Sequence, residues 1–191
     1  MKIFLALVLL SVCARAQVVL NFNVPFDQTG TSGLAQCNGI ECHGVGVTPV
    51  AAIVRYNLLV TARFVCQNND PGDSLIVFGT DPSIQSTFNC FAGIAMHFPD
   101  GVELFSQIVN FRPIGAFMPS LGTFDSGTIQ IGAHNAFVVT DPDFLAHFAT
   151  QDVLGITYTR FAASCVSGSG NMTSGMFSHA GGSAQFVLTL P

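Results

Sequence analysis

Apolar and polar residues alternate along most of this chain with a period of two, the spacing that places successive side chains on opposite faces of a β-strand. Residues 18–24, for example, alternate around Asn21 and Asn23. Further strands are predicted at residues 50–66, 74–78, 88–97, 102–111, 127–131, 136–139, 155–163 and 184–190. Turn residues such as Asp81-Pro82 and Gly181-Gly182 separate them. This pattern predicts an all-β fold, a single antiparallel β-sandwich of the jelly-roll or Ig-like kind.

One segment departs from the alternation. Asp141 and Pro142 precede the apolar residues Phe144, Leu145 and Phe148, which are spaced to share one face of a helix. An aspartate at the N-cap and a proline in the first turn are typical of a helix start. We therefore expect one short helix at residues 141–148.

The first sixteen residues have the organisation of a secretory signal peptide. Met1 and Lys2 precede an apolar run at residues 3–12, and Ala14-Arg15-Ala16 places small residues where a signal peptidase cleaves. That run is too short to cross a bilayer core of about 30 Å. We therefore expect a signal peptide at residues 1–16, secretion, and a single domain at residues 17–191 without a membrane span.

Five cysteines remain after that cleavage, and cysteines of secreted proteins usually form disulfides. Cys37 and Cys42 flank a short glycine-containing loop, whereas Cys66 and Cys90 each lie near one end of a strand-like run. These four are the disulfide candidates, in up to two bonds. Cys165 is then the odd cysteine, either unpaired or bonded to a second chain in a disulfide-linked dimer. Other pairings stay open, and so does a metal site at the first cysteine pair.

Charge is scarce in the expected mature chain. It has no lysine and four arginines against eleven acidic residues, which leaves a formal charge near −7. Nucleic-acid binding depends on lysine and arginine neutralising phosphates, so this composition argues against a nucleic-acid partner. Low charge with abundant phenylalanine and glycine instead favours association with a matrix or with a second copy.

Two aspartate pairs are candidate calcium ligands, because Ca²⁺ prefers loop carboxylates and carbonyls. Asp70 and Asp73 flank Pro71-Gly72, and Asp141 and Asp143 flank Pro142. Ordinary Asp-Pro turn chemistry accounts for the same residues more simply. Separately, Asn171-Met172-Thr173 is an N-glycosylation sequon, which predicts a glycan on a surface loop.

No motif predicts catalysis or a cofactor. The histidines form no close ligand pair, and the stretch C-V-S-G-S-G at residues 165–170 lacks the first glycine of a nucleophile elbow. The chain has no tryptophan and only Tyr56 and Tyr158, so an aromatic platform for sugars would have to be built from phenylalanine. We therefore expect a protein that is not an enzyme.

The second half contains short motifs rich in small residues. They are P-S-L-G-T-F at residues 119–124, T-D-P-D-F-L-A-H-F at 140–148, V-S-G-S-G-N-M-T at 166–173, and the closing strand to Pro191. In these motifs the chain resembles secreted β-sandwich domains of the choice-of-anchor type. The resemblance implies an extracellular β-sandwich and supplies no catalytic residue.

These observations favour a secreted, non-enzymatic structural protein of an extracellular matrix, such as a shell, cuticle or egg-coat component, with matrix proteins or a second copy as partners. The alternative is a secreted binding module for a carbohydrate, a lipid or a calcium ion.

Overall fold

The computed structural model describes residues 15–37, 42–78, 90–164, 166–168 and 170–191, which are mostly β-strand. The strands are β1 (Gln17–Gln28), β2 (Ser32–Leu34), β3 (Gln36–Cys37), β4 (Ala51–Asn68), β5 (Ser74–Phe78), β6 (Phe91–His97), β7 (Glu103–Asn110), β8 (Ile114–Met118), β9 (Thr123–Val139), β10 (Thr157–Ala163), β11 (Val166–Gly168) and β12 (Met172–Thr189). The expected signal peptide falls almost wholly outside the described residues.

The strands form three antiparallel sheets. Their strand orders are β3-β1-β12-β4-β9, β2-β10-β6-β7 and β11-β5-β8. One continuous cluster of buried apolar side chains joins the inner faces of all three sheets. The predicted antiparallel β-sandwich is therefore confirmed.

Strand β4 contributes every second residue to the core. Its even-numbered residues, from Ala52 to Asn68, are all buried, whereas the odd-numbered ones are exposed or half-buried. Phe64 of this strand packs against Phe78 and Phe111, with ring centroids 5.1 and 5.6 Å away. Buried aromatic side chains of this size contribute much of the apolar area that stabilises a small domain.

The predicted short helix is confirmed as α1 (Pro142–Ala146), which continues into a 3₁₀ turn at His147–Ala149. The Asp141 carboxylate caps it by accepting a hydrogen bond from the backbone N–H of Asp143. Leu145 and Phe148 are its buried residues. In the described part of the chain, no helix has both the length and the apolarity needed to cross a bilayer.

Three strand predictions were wrong in extent. The predicted strands at residues 127–131 and 136–139 are parts of the single strand β9, and the one at 184–190 is the end of the 18-residue β12. Strands β2, β3 and β8 were not predicted. A strand with one solvated face tolerates polar residues and glycine in its interior. In the sequence these residues look the same as the signals of a turn.

Gly181-Gly182, predicted as a turn, lies inside β12 and pairs with Leu59 and Leu58. A Cβ atom at residue 181 would lie 2.5 Å from Cα of Phe26, and one at residue 182 would overlap the carbonyl oxygen of Asn57. These glycines therefore permit close backbone packing, the second common reason for glycine within a strand.

We predict that Gly182→Ala lowers the free energy of unfolding by about 1–3 kcal/mol, because the added methyl group has no space beside the Asn57 carbonyl. Gly175→Ala in the same strand is the matched control, since its Cβ would make only ordinary contacts, 3.7 Å from Val65 at the nearest. Urea unfolding of both variants measures the effect. Equal stability of the two variants would contradict the steric explanation.

Candidate functional site

One face of the five-stranded sheet carries rows of polar side chains that point away from the core. Because side chains alternate along a strand, the odd-numbered residues of β4 lie on this side. The strand register places Arg55 beside Gln185, and Asn57 beside Ser183 and His134. We call this surface the outer face: the odd-numbered residues 55–67 of β4 and the side chains beside them on β1, β12 and β9.

Two shallow depressions lie at the β1 side of the outer face. One, of about 360 Å³, is lined by Asn21, Arg55 and Gln185 among others. The next, of about 250 Å³, lies against Phe26. Asn57 lines both depressions, so they are continuous along the sheet.

Two further depressions continue in the direction of β9. One, of about 300 Å³, includes Thr61 and His179, and the other, of about 460 Å³, includes Gln67 and Thr173. Phe177 lines both. The two pairs of depressions share no lining residue and adjoin where the Phe26 ring, in the first pair, stacks on His179, in the second. We call this row of four depressions along β4 and β12 the outer groove. At about 3.3 Å per residue, the twelve steps of β4 from residue 55 to residue 67 make it roughly 40 Å long.

Phe26 owes its place in the outer groove to an irregularity in β1. The pairing of β1 with β12 shifts register between Val24 and Asp27, so Phe26 lies in a bulge. The residue is 49% exposed, and its ring stacks on the imidazole of His179, with centroids 5.9 Å apart and planes at 19°. Gly181 lies beneath it, where a side chain would collide with its backbone.

Arg160 holds this bulge from the opposite side of the sheet. It belongs to β10 of the four-stranded sheet and is 2% exposed. Its guanidinium donates hydrogen bonds to the carbonyl oxygens of Pro25 and Ala180 and to the hydroxyl of Thr31, and it lies 4.5 Å over the Tyr158 ring. A buried arginine requires such partners, because an unpaired buried donor is costly. In the sequence, Arg160 is recognisable only as one of four cations of the expected mature chain, and no local signal indicates this role.

Charges in the outer groove are few and largely paired. Arg63 donates hydrogen bonds from Nε and Nη2 to the Asp125 carboxylate, and the Gly127 backbone N–H also donates to it. These hydrogen bonds, with Arg63 the largest cause, lower the pKa of Asp125 to about 2. Arg55 donates to the side-chain oxygen of Gln185 at 3.2 Å. The remaining lining is mainly amide, hydroxyl and aromatic.

The structure tests part of the cysteine prediction. Cys37 and Cys42 form the predicted disulfide, with Cα atoms 5.9 Å apart. The suggested bond between Cys66 and Cys90 is wrong, since Cys66 is a buried free thiol whose pKa is raised by burial. Cys66 lies in the middle of a sheet, and its paired neighbours Ser174 and Phe124 come from β12 and β9. Cys165 lies outside the described residues.

The calcium candidates have local structural roles. The Asp70 and Asp73 carboxylates accept backbone hydrogen bonds from Asn171 and Ser120, at 2.6 and 3.1 Å, and Asp141 caps α1. Across the described ranges, no three His, Cys, Asp or Glu residues gather in a group that could hold a metal ion. Since Ca²⁺ takes six or more oxygen ligands, this arrangement lends its binding no support.

The remaining predicted sites lie apart from the outer groove or at its end. Asn171 is exposed, as the sequon predicted, and its neighbour Thr173 lines the groove. His147 belongs to no close ligand pair in the sequence, but in the fold it has a carboxylate partner: its Nε2 lies 2.9 Å from Oδ2 of Asp100. The tyrosines Tyr56 and Tyr158 are buried in the core, so they offer no aromatic platform.

The signals for the outer groove were only partly visible in the sequence. The alternating Asn21 and Asn23 pointed to a polar strand face, but nothing marked Phe26 and Phe177 among seventeen phenylalanines of the expected mature chain. Their exposure, 49% and 55%, depends on the β1 bulge and on the strand register. Both are properties of the tertiary structure.

Neither the family models nor the curated proteins give a match to this chain. Among solved structures it has weak similarity to a structure of infectious bursal disease virus, Gt strain, with TM-score 0.17, and to a crystal structure of the VP2 subviral particle of that virus, with TM-score 0.16. Both are 12% identical to this chain. Each match covers 91% of this chain, and 40% and 41%, respectively, of the two viral chains. TM-scores this low carry no argument about fold or function.

The pair of His147 and Asp100 predicts a pH dependence of stability. Burial alone lowers the pKa of His147, but its hydrogen bonds to Asp100 and to the Phe144 and Asp143 carbonyls outweigh burial, so the pKa is raised above its usual 6.5. The protonated ring joins α1 to the turn after β6 and stacks on Phe98, with centroids 4.4 Å apart.

A group whose pKa is raised by folding stabilises fully below its unfolded pKa, and that stabilisation is lost as the pH rises through the folded pKa. We therefore expect the urea midpoint to fall as the pH rises from below 6.5 through the raised folded-state value. His147→Gln and Asp100→Asn should each flatten this part of the profile. Wild-type steepness in both variants would show that the pair contributes nothing.

Proposed function

We propose that this protein is an extracellular, non-enzymatic component that binds a neutral polysaccharide along the outer groove. The observation that supports this most is the outer groove itself, whose lining is mainly amides and hydroxyls with few charges, together with the exposed rings of Phe26 and Phe177. This joins the two functions suggested by the sequence: a matrix protein needs an adhesive surface, and a polysaccharide is a common matrix polymer.

The chemistry of the lining favours a neutral, hydroxyl-rich ligand. Asn21, Asn57 and Gln185 present side-chain amides, which both donate and accept hydrogen bonds, as sugar hydroxyls do. An anionic polymer would need several unpaired cations, yet the Arg63 charge is matched by Asp125. A lipid would need an apolar surface in place of these amides.

The shape of the site favours a polymer over a small molecule. Small ligands usually bind in concave pockets that bury most of their surface. Here a cavity between the sheets, lined by Tyr56, Ile94 and Phe105 among others, holds about 10 Å³, the space of a single water molecule. The outer groove is shallow, open and elongated, so an extended chain gains contacts at successive depressions.

Secretion is supported by the expected signal peptide and by the Cys37–Cys42 disulfide, a bond typical of oxidising compartments. The exposed sequon at Asn171 fits the same compartment. We therefore place the proposed binding function outside the cell.

We predict that Phe26→Ala and Phe177→Ala each weaken binding to a matching polysaccharide roughly tenfold, because each removes an aromatic contact worth more than about 1 kcal/mol. Binding is measured by co-sedimentation with microcrystalline cellulose and with chitin, and by titration with soluble β-glucan. Phe117→Ala is the matched control, since Phe117 is 70% exposed on β8 of another sheet.

Loss of binding in both groove variants, with retention in Phe117→Ala, supports the proposal. If none of these neutral polysaccharides binds the wild-type protein, or if all three variants bind equally well, the outer groove is not a sugar site. Asn57→Ala provides an independent variant within the groove, because its side chain lies between the first two depressions.

The proposed secretion predicts a glycan at Asn171. When the chain is expressed in eukaryotic cells, we expect a protein in the medium that starts at Gln17 and loses mass on enzymatic deglycosylation. Asn171→Gln should abolish that mass shift, while Asn69→Gln, a nearby residue without a sequon, should keep it. Retention of an unmodified protein inside the cell would contradict the proposed compartment.

A further inference from the structure

Strand β9 is an edge of the five-stranded sheet. It pairs with β4 on one side over almost its whole length, and no strand among the described residues pairs with its other side. It is 17 residues long. A long free edge presents unpaired backbone N–H and C=O groups, which are a template for another strand.

Most of this edge lacks the features that protect edge strands from pairing. Such features include lysine, proline, inward-pointing charges and bulges. The only bulge in the pairing with β4 lies opposite residues 63–65, next to Asp125 and to Gly127, whose φ is +66°. Beyond it, residues 128–139 contain no proline, lysine, arginine or carboxylate. We call this segment the open edge.

The core-facing side of the open edge is only partly covered. Ile129, Ile131, Phe137 and Val139 pack against the core and yet stay half-buried. On the outer face of the same strand, Val138 is exposed. A strand added beside β9 would remove further apolar surface from water on both faces, which stabilises association.

We propose that the open edge pairs antiparallel with the open edge of a second copy, which makes a two-fold dimer with a continuous ten-stranded sheet. A two-fold interface requires a self-complementary surface. The open edge meets this requirement, because residues 128–139 contain no lysine, arginine or carboxylate that would oppose its own copy. Antiparallel pairing of identical strands also satisfies the backbone groups of both.

The opposite edge of the sheet is interrupted, which limits the assembly to two copies. There the two-residue strand β3, tied into the Cys37–Cys42 disulfide, covers β1 at Phe22 and Asn23, and the β1 bulge follows between Val24 and Asp27. A short, constrained strand is a poor template for pairing. The dimer does not depend on polysaccharide binding, and it places the outer grooves of the two copies on one surface.

The test is the mass of the protein in solution, by light scattering and sedimentation, with and without reductant. Gln130→Lys/His134→Lys adds two charges to the open edge. The matched control is Asn57→Lys/Thr61→Lys, because these residues lie directly beside the same two positions, one strand further in. We expect a wild-type dimer in both buffers, a monomeric edge variant and a dimeric control.

A wild-type monomer at every concentration would overturn the proposal. A dimer that survives the edge lysines and dissociates only with reductant would also overturn it, since a cysteine would then join the copies. If the edge variant fails to fold, hydrogen exchange of the wild-type protein tests the pairing of the open edges instead. Protection at residues 128–139 must increase with protein concentration by mass action, and protection that is independent of concentration refutes the pairing.

Discussion

The antiparallel register between β4 and β12 is the constraint on which the rest of this structure depends. Each strand is 18 residues long, and they pair without a break from Ala51 and Thr189 to Asn68 and Met172. Because side chains alternate, a slip of one residue would exchange the two faces of the sheet. The same register therefore places Phe64 and Phe186 in the core and Asn57 and Ser183 on the outer face.

Close packing around Gly181 of β12 connects the core to the outer groove. Gly181 lets the β1 bulge lie against β12, and Arg160 fixes the bulge through the Pro25 carbonyl. Among the described residues, no buried side-chain nitrogen or oxygen lacks a hydrogen-bond partner. Arg160 thus combines a structural role between sheets with a hold on the bulge that carries Phe26, although Arg160 itself does not line the outer groove.

Local patterns in the sequence predicted the fold class, the short helix and the Cys37–Cys42 bond, because alternation, capping and short loops are local signals. They did not predict the length of β9 and β12, nor the function of Gly181-Gly182, because those depend on which strands become neighbours. The groove was predictable only as a polar face at Asn21 and Asn23. Phe26 is placed in it by a bulge and Phe177 by the strand register, and no local signal indicates either.

The distribution of charge explains how one small domain can offer both a sparsely charged groove and a self-complementary edge. Most described acidic residues lie in turns, such as Asp70, Asp100, Asp141 and Asp152, where they maintain the net negative charge. The long strands are left almost free of charge, apart from the paired Arg63 and Asp125 and a few isolated residues. Net charge in the turns favours solubility. Uncharged strands suit neutral hydroxyl groups on one face and a backbone partner at the edge, so both proposals follow from this separation.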